Sequence, residues 1–142
     1  MKRLFALTVC FGLGACVTGA PPPSMSSAAL ACPAGTQPMT RVDFFFGGDV
    51  GAPGGVPDAE WQRFVEMEVT SRFPDGFSVA DVDGQWRNAM GMVEAERSKN
   101  LIVIVRDVRA YASRITSLRA AYRARFQQQS VLFSETPLCA GF

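Results

Sequence analysis

Side chains able to move protons, attack carbonyls or hold metals are few in this chain, and the gaps among them decide much. The 142 residues contain no histidine, which removes nucleophile triads built on an imidazole base. Ser98-Lys99 sets a serine beside a lysine, but neighbours on a strand project to opposite faces and so do not meet. Asp81-Val82-Asp83-Gly84 has the acidic spacing of part of a calcium loop. In an EF-hand register, however, the first and last ligand positions fall on Val79 and Met90, which carry no oxygen ligand. A plain acidic turn is the simpler reading. The segment from Gly47 to Gly55 holds five glycines and Pro53 ahead of a helix, as phosphate loops do. It lacks the lysine and Ser/Thr of a P-loop, and Asp58 brings negative charge to the helix start. That leaves a flexible connection or a ligand-contacting lid. These patterns yield no catalytic residue, no metal ligand set and no cofactor. An enzyme built from this chain would need an oxygen-only pocket, with Asp81, Asp83, Glu94 or Glu96 as acid or base.

Cysteine is the informative residue. Met1-Lys2-Arg3 is a positive start, Leu4 to Leu13 is an almost unbroken apolar run, and Leu13-Gly14-Ala15 supplies small residues before Cys16. That order is a secretory signal, and the run is shorter than the roughly 20 residues of a membrane-spanning helix. Leu13-Gly14-Ala15-Cys16 resembles a lipobox, which implies cleavage after Ala15 and acyl chains such as palmitate on Cys16. The competing reading is an ordinary signal cut near Ala15 or Ala20, with Cys16 incidental. Cys10 leaves with the signal, so Cys32 and Cys139 remain. In an oxidising compartment two such residues are a candidate disulfide, against the alternative of two unrelated thiols. Without histidine they cannot complete a usual zinc shell. Removing Lys2 and Arg3 from 14 basic residues leaves 12 against 13 acidic ones, a formal balance of −1. Neither that charge nor export points to nucleic acid.

Residues 16–31, rich in proline, serine and alanine and free of charge, cannot build a core and read as a tether. With 48% hydrophobic and 19% charged residues, the chain suits one globular domain, over 32–142, behind signal 1–15 and that tether. Val42, Phe44 and Phe46 alternate with Arg41, Asp43 and Phe45, which is strand periodicity. Asp58 is expected to cap a helix whose Trp61, Phe64, Val65 and Val69 share a face, and Phe73-Pro74-Asp75-Gly76 stops it. Phe77 to Trp86 predicts a second strand with a bulge at Asp83-Gly84, and Asn88 to Gly91 a turn. Met92 to Glu96 begins a third strand, whose centre Leu101-Ile102-Val103-Ile104-Val105 predicts cover on both faces. Asp107 caps a long helix with Tyr111, Ile115, Leu118, Tyr122 and Phe126 as its stripe. Ser130 to Thr136 is a last strand, ended by Pro137. The order is βαββαβ. It predicts an α+β, ferredoxin-like split βαβ fold, a four-stranded antiparallel sheet with two helices on one face. Strand one then starts where strand four ends, which is where Cys32 and Cys139 stand.

Several segments carry a family likeness: Phe44-Phe45-Phe46-Gly47, Asp58-Ala59-Glu60-Trp61-Gln62-Arg63-Phe64, Arg72-Phe73-Pro74-Asp75-Gly76, Gly84-Gln85-Trp86-Arg87 and Glu96-Arg97-Ser98-Lys99, then Ala121-Tyr122-Arg123-Ala124-Arg125-Phe126 and Gln128-Gln129-Ser130-Val131-Leu132. Over Cys32 to Cys139 the sequence resembles the bacterial family labelled domain of unknown function 3574. The resemblance implies an exported or lipid-anchored small domain and carries no reaction with it.

Two surfaces are candidates for interaction. Arg109, Arg114, Arg119, Arg123 and Arg125 flank the apolar stripe of the second helix. They either frame a buried face with their aliphatic stems or touch anionic envelope material. On the sheet face away from the helices, Phe45, Ile102 and Ile104 would be left uncovered. That predicts a second copy, a partner or a ligand there, or coverage by the tether or glycine loop. The expectation is a periplasm-facing lipoprotein acting as a non-catalytic binding or assembly module, held to the membrane through Cys16, that pairs as a homodimer or docks a partner through the open sheet face. A small periplasmic enzyme or ligand-binding domain with a carboxylate-lined pocket is the alternative. Val17 is not the aspartate that, by resemblance to enteric lipoproteins, marks inner-membrane retention, so the outer membrane is expected.

Overall fold

The computed structural model describes residues 30–48, 55–88 and 90–141. The expected signal, Cys16, nearly all of the tether and the middle of the glycine loop lie outside the described residues. Strand β1 (Gln37–Gly47) is followed by helix α1 (Asp58–Phe64), a π turn (Val65–Val69) and the short helix α2 (Thr70–Arg72). Strands β2 (Ser78–Arg87) and β3 (Val93–Val105) form a hairpin. A 3₁₀ turn (Val108–Tyr111) then leads into α3 (Ala112–Phe126), and β4 (Leu132–Ala140) closes the chain. All pairings are antiparallel and the strand order is β2-β3-β1-β4. The first and third strands are therefore central, as the split βαβ topology requires.

The alternation in β1 sets the two faces. Val42, Phe44 and Phe46 pair with Val103, Leu101 and Lys99 of β3 and lie on the helix side. They form one buried cluster with Trp61, Phe64 and Val69 from the first helix and Ile115, Leu118 and Tyr122 from α3. Burying each large side chain contributes about 1.5–3 kcal/mol, so both helices are pinned to one face. The aromatic rings interlock: Phe46 lies 4.5 Å from Tyr122 and 5.5 Å from Trp61, centroid to centroid.

Several expected details differ, each for a local reason. Asp58 is the first helical residue, not the cap: Pro57 holds the extended cap position and Asp58 reaches Lys99 instead. Phe64 and Val69 are five apart yet both buried. The π turn makes this possible, because its wider winding absorbs one extra residue and returns Val69 to the core. The carbonyl of Val65 accepts from the backbone N–H and the hydroxyl of Thr70 at this turn. No bulge forms at Asp83-Gly84; the β2–β3 register runs unbroken from Ser78↔Ile102 to Arg87↔Val93. Pro137 does not end β4 but sits within it opposite Thr40, which an edge strand tolerates because one side of its backbone needs no N–H donor. The aliphatic run of β3 is covered on one face only. Leu101, Val103 and Val105 are buried, Ile102 is half-buried and Ile104 is 39% exposed.

Cys32 and Cys139 are joined by a disulfide, with Cα atoms 5.5 Å apart across 107 positions of sequence. Pairing of Pro38 with Cys139 brings the ends together. Among the described residues, no helix is long and apolar enough to cross a membrane. Replacing both cysteines by serine is expected to lower the unfolding free energy by roughly 4–5 kcal/mol, the chain-entropy value for so long a loop. Urea denaturation of the oxidised and serine forms measures it, and coincident midpoints would show that the bridge adds nothing.

Candidate functional site

The chemistry-bearing residues divide between the two faces of the sheet. On the helix side, a cleft of about 480 Å³ opens between the start of α1 and the β2–β3 hairpin, lined in part by Asp58, Asp81, Asp83, Arg97, Lys99 and the buried Tyr122. Its charges are mutually paired. Lys99 Nζ lies 2.5 Å from Asp81 and 3.2 Å from Asp58, and Arg97 lies 3.7 Å from Asp83. The hydrogen bond to Asp81, aided by Asp58, raises the Lys99 ammonium above its usual range against the effect of burial. A lysine held protonated is no base for Ser98, and the register puts the two residues on opposite faces, opposite Phe46 and Gly47 respectively. Tyr122 is likewise no acid. Burial, together with the negative charge of Glu96, pushes its hydroxyl above the usual phenol range, and it donates to the carbonyl of Gly47 at 2.7 Å.

The open face has a polar centre within an apolar surround. Asp43, 7% exposed, receives two hydrogen bonds from Arg41 at 2.7 and 2.8 Å and one from Asn100 Nδ2 at 3.1 Å. Residues two apart on a strand share a face, which is why Arg41 and Asp43 meet. Because the amide nitrogen of Asn100 must turn to Asp43, its Oδ1 faces away, and among the described residues it has no hydrogen-bond partner. Around this centre stand Phe45 and Ile102, both half-buried, with Ile104 and Leu132 (65% exposed), while Trp86 (42% exposed) stands farther along the same face, opposite Glu94 on the hairpin arm.

One end of the open face is hollow. β1 stops at Gly47, opposite Ser98, whereas β3 continues back to Val93 and β2 runs on to Arg87. The hairpin arm therefore overhangs the end of β1. On the other side, Gln127 adopts a left-handed conformation (φ 53°) that ends α3, and the chain passes through Gln128 to Ser130 before β4 pairs Leu132 with Phe45. Between arm and turn lies a cleft of about 570 Å³, with Phe45, Trp86, Met90 and Leu132 as apolar lining and Glu94 and Glu96 as its charged groups. Asn88 shapes the arm. Its Oδ1 accepts from the backbone N–H of Met90 and Met92, and its Nδ2 donates to Glu94 at 2.6 Å. Glu96 lies over Gly47, so close that any β-carbon at 47 would collide with its carboxylate. At Gly48 the neighbour is backbone, which cannot swing aside: a β-carbon there would come within 2.7 Å of the Arg97 carbonyl oxygen.

The candidate residues named from sequence thus fall in separate places. Phe45, Ile102 and Ile104 share the open face. Arg114 and Arg119 lie on α3 and are engaged within the domain: Arg114 donates to the Arg72 carbonyl and stacks over Tyr111, and Arg119 donates to the Val131 carbonyl and stacks over Phe133. Arg123 is exposed. The four carboxylates considered for acid–base work separate into Asp81 and Asp83 on the helix side and Glu94 and Glu96 in the open-face cleft. Sequence reasoning missed the Asp43–Asn100 contact and the Trp86 wall. The signal for the first was an aspartate inside an apolar strand, which demands partners if buried. Among the described residues, no group of three or more His, Cys, Asp or Glu is arranged to hold a metal ion.

The Arg41 guanidinium holds the Asp43 carboxyl below its usual range by hydrogen bonding; burial opposes this, and the Asn100 amide reinforces it. A carboxyl whose folded pKa is depressed stabilises the fold above its unfolded pKa, and that stability is lost as pH falls through the folded value. Wild-type stability should therefore decline below about pH 4, the ordinary aspartate range. Asp43→Asn should lack this part of the decline and be about 1–3 kcal/mol less stable at pH 7. Chemical denaturation from pH 2 to 7 tests both, and parallel profiles would refute the assignment.

A family model described as "Protein of unknown function (DUF3574)" matches residues 41–142, and the chain belongs to that family. No curated protein sequence matches it. Two solved structures of a phage SAM lyase share its fold. The complex with S-methyl-5'-thioadenosine has a TM-score of 0.57 at 14% identity, covering 80% of this chain and 95% of the other. The apo form has a TM-score of 0.53 at 16% identity, covering 81% and 97%. At such identities the likeness is one of fold.

Proposed function

We propose that this member of the family is a lipid-anchored protein of the bacterial cell envelope that binds through the open face of its sheet and pairs there with a second copy of itself. The observation that carries the reading is the apolar surround of Phe45, Ile102, Ile104, Leu132 and Trp86, of which the last three are exposed. Sheets that meet water on one face alternate toward polar residues there, and a contiguous apolar patch marks an interaction surface. A second copy suits this face because its central charges, Arg41 and Asp43, cancel within each protomer. Two identical faces can then meet about a two-fold axis without like-charge repulsion. The signal pattern ahead of Cys16, the uncharged tether and the disulfide support the envelope address.

The cleft beside Glu94 and Glu96 favours a second reading, a small-ligand domain. Its volume lies in the usual range for small-molecule sites. The fold likeness to a phage SAM lyase in complex with S-methyl-5'-thioadenosine supports the idea that a sheet of this kind can hold a small molecule.

Cys16→Ser should move the protein from the membrane to the soluble fraction, and mass spectrometry of the wild-type amino terminus should find acyl chains on Cys16. Light scattering of the soluble Cys16→Ser form should give twice the monomer mass, and Ile104→Lys should return it to the monomer. A monomer at every concentration, with no binding of a hydrophobic dye, would remove the pairing.

A further inference from the structure

We propose that the outer edge of β2 pairs antiparallel with the same strand of a second copy, about a two-fold axis at Gly84, joining two four-stranded sheets into one at the membrane surface. This contact is separate from pairing through the open face, because it runs along the rim of the sheet and involves neither Ile102 nor Ile104.

The two edges of the sheet are not alike. β4 carries Pro137 within its span and the disulfide at Cys139. Proline is one device that keeps an edge from pairing with another chain; bulges and charged side chains are others. β2 has no proline, and its register with β3 is unbroken from Ser78 to Arg87. Each of its residues is exposed except the half-buried Val82, and among the described residues no strand lies beyond it. Its charged residues, Asp81, Asp83 and Arg87, are of both signs, so they select a register rather than forbid pairing.

That selection points to a second copy. A two-fold axis normal to the sheet keeps each face on its own side, so it passes through a residue and sets same-face residues opposite each other. An axis at Val82 sets Asp81 against the partner's Asp83, and an axis at Asp81 or Asp83 sets that aspartate against its own copy. Like charges directly opposite destabilise a ladder. Axes at Ala80 or Gln85 pair a shorter stretch of β2. An axis at Gly84 pairs Asp81 through Arg87 and sets no acid against another. Asp81 then meets the partner's Arg87, and Val82 meets the partner's Trp86, each contact made twice by symmetry. Arg87 gives an N–H to the Gly91 carbonyl at 2.5 Å, and its guanidinium keeps further donors. Trp86 is 42% exposed, and an aromatic ring across from a β-branched residue is a favourable cross-strand pair. The spacing reads the same from either direction, as an isologous contact requires. The seam is short. It fills where copies share a membrane, since tethering gives effective concentrations of about 1 mM, and it leaves the mass of a dilute sample unchanged. That part rests on the lipid-anchor reading.

The test is oxidation of Gly84→Cys in membranes from cells producing the full chain, with copper phenanthroline as oxidant and the unsubstituted chain as control. A β-carbon at Gly84 meets nothing within 4 Å, so a thiol is accommodated there. At the axis its own copy stands about 5 Å away, within disulfide reach. A cross-linked dimer should form with Gly84→Cys and not with Ala80→Cys, whose own copy lies about 27 Å off. Arg87→Glu, an exposed change that sets acid against the partner's Asp81, should slow the Gly84→Cys reaction roughly tenfold. Adding Asp81→Arg to the same chain should restore it, and Ile104→Lys should leave it unchanged. No dimer at Gly84, equal dimer at Ala80, or a rate indifferent to Arg87→Glu would each overturn the seam. Loss with Ile104→Lys would also overturn it and assign the contact to the open face. If fractionation finds the chain outside the membrane, the same oxidation on soluble protein at about 1 mM decides the seam, and the anchor reading alone fails.

Discussion

Where β1 ends determines what lies around it, and that end is held by Tyr122. Its ring packs 4.5 Å from Phe46 and 5.2 Å from Phe64, while its hydroxyl donates to the Gly47 carbonyl. A buried phenol needs such an acceptor, and here the acceptor is the last residue of the strand. One side chain from α3 therefore fixes the helix against the sheet and stops β1 at a defined place. The Gly48 N–H then turns to the Arg97 carbonyl at 2.8 Å. The β2–β3 arm runs past this point without a neighbour from β1, and the space beside it becomes the cleft. The aromatic core and the open-face hollow are two consequences of one contact.

The opposite end of the sheet is fastened covalently. Cys32 precedes β1 and Cys139 lies in β4 opposite Pro38. β4 is an edge strand with Pro137 inside it, so its pairing with β1 carries the full burden of closing the sheet on that side. A bridge at the outer end and buried Val131 with half-buried Phe133 at the inner end hold β4 from both directions. Phe133 also lies 4.3 Å beneath the guanidinium of Arg119, so α3 contributes here too.

How much could be read from sequence depended on whether a residue's neighbours were local or came from the sheet. The period-two pattern of Val42, Phe44 and Phe46 and the stripe of Ile115, Leu118 and Tyr122 placed the core, and element order then gave the topology and the meeting of Cys32 with Cys139. Local chemistry was less reliable. Asp58 looked like a cap by residue type, but its carboxylate is drawn to Lys99, forty-one positions away. Pro137 looked like a strand end because the tolerance of an edge position is invisible until strand order is known. The aliphatic run of β3 looked covered on both sides because nothing in Ile102 or Ile104 distinguishes a face that packs from one that waits for a partner. Glu94 and Glu96 were named with Asp81 and Asp83 as one acidic set. Only the hairpin register divides them, since Asp81 and Asp83 face Lys99 and Arg97 while Glu94 and Glu96 fall on the other side.

That division gives the domain its asymmetry. On the helix side each cleft-lining acid has a cationic neighbour, so the charges there stabilise the junction of α1 with the hairpin and leave little net field. On the open side the ion pair of Arg41 with Asp43 sits at the centre of the face, and the Glu94 and Glu96 side chains line one end. A face that is apolar and internally paired in the middle favours an occupant that brings no unpaired charge to it. A second sheet suits the neutral centre, where burying unpaired charge would otherwise cost several kcal/mol. If two copies meet at the centre, the arm of each lies near the rim of the interface, and pairing would narrow the mouth of the cleft.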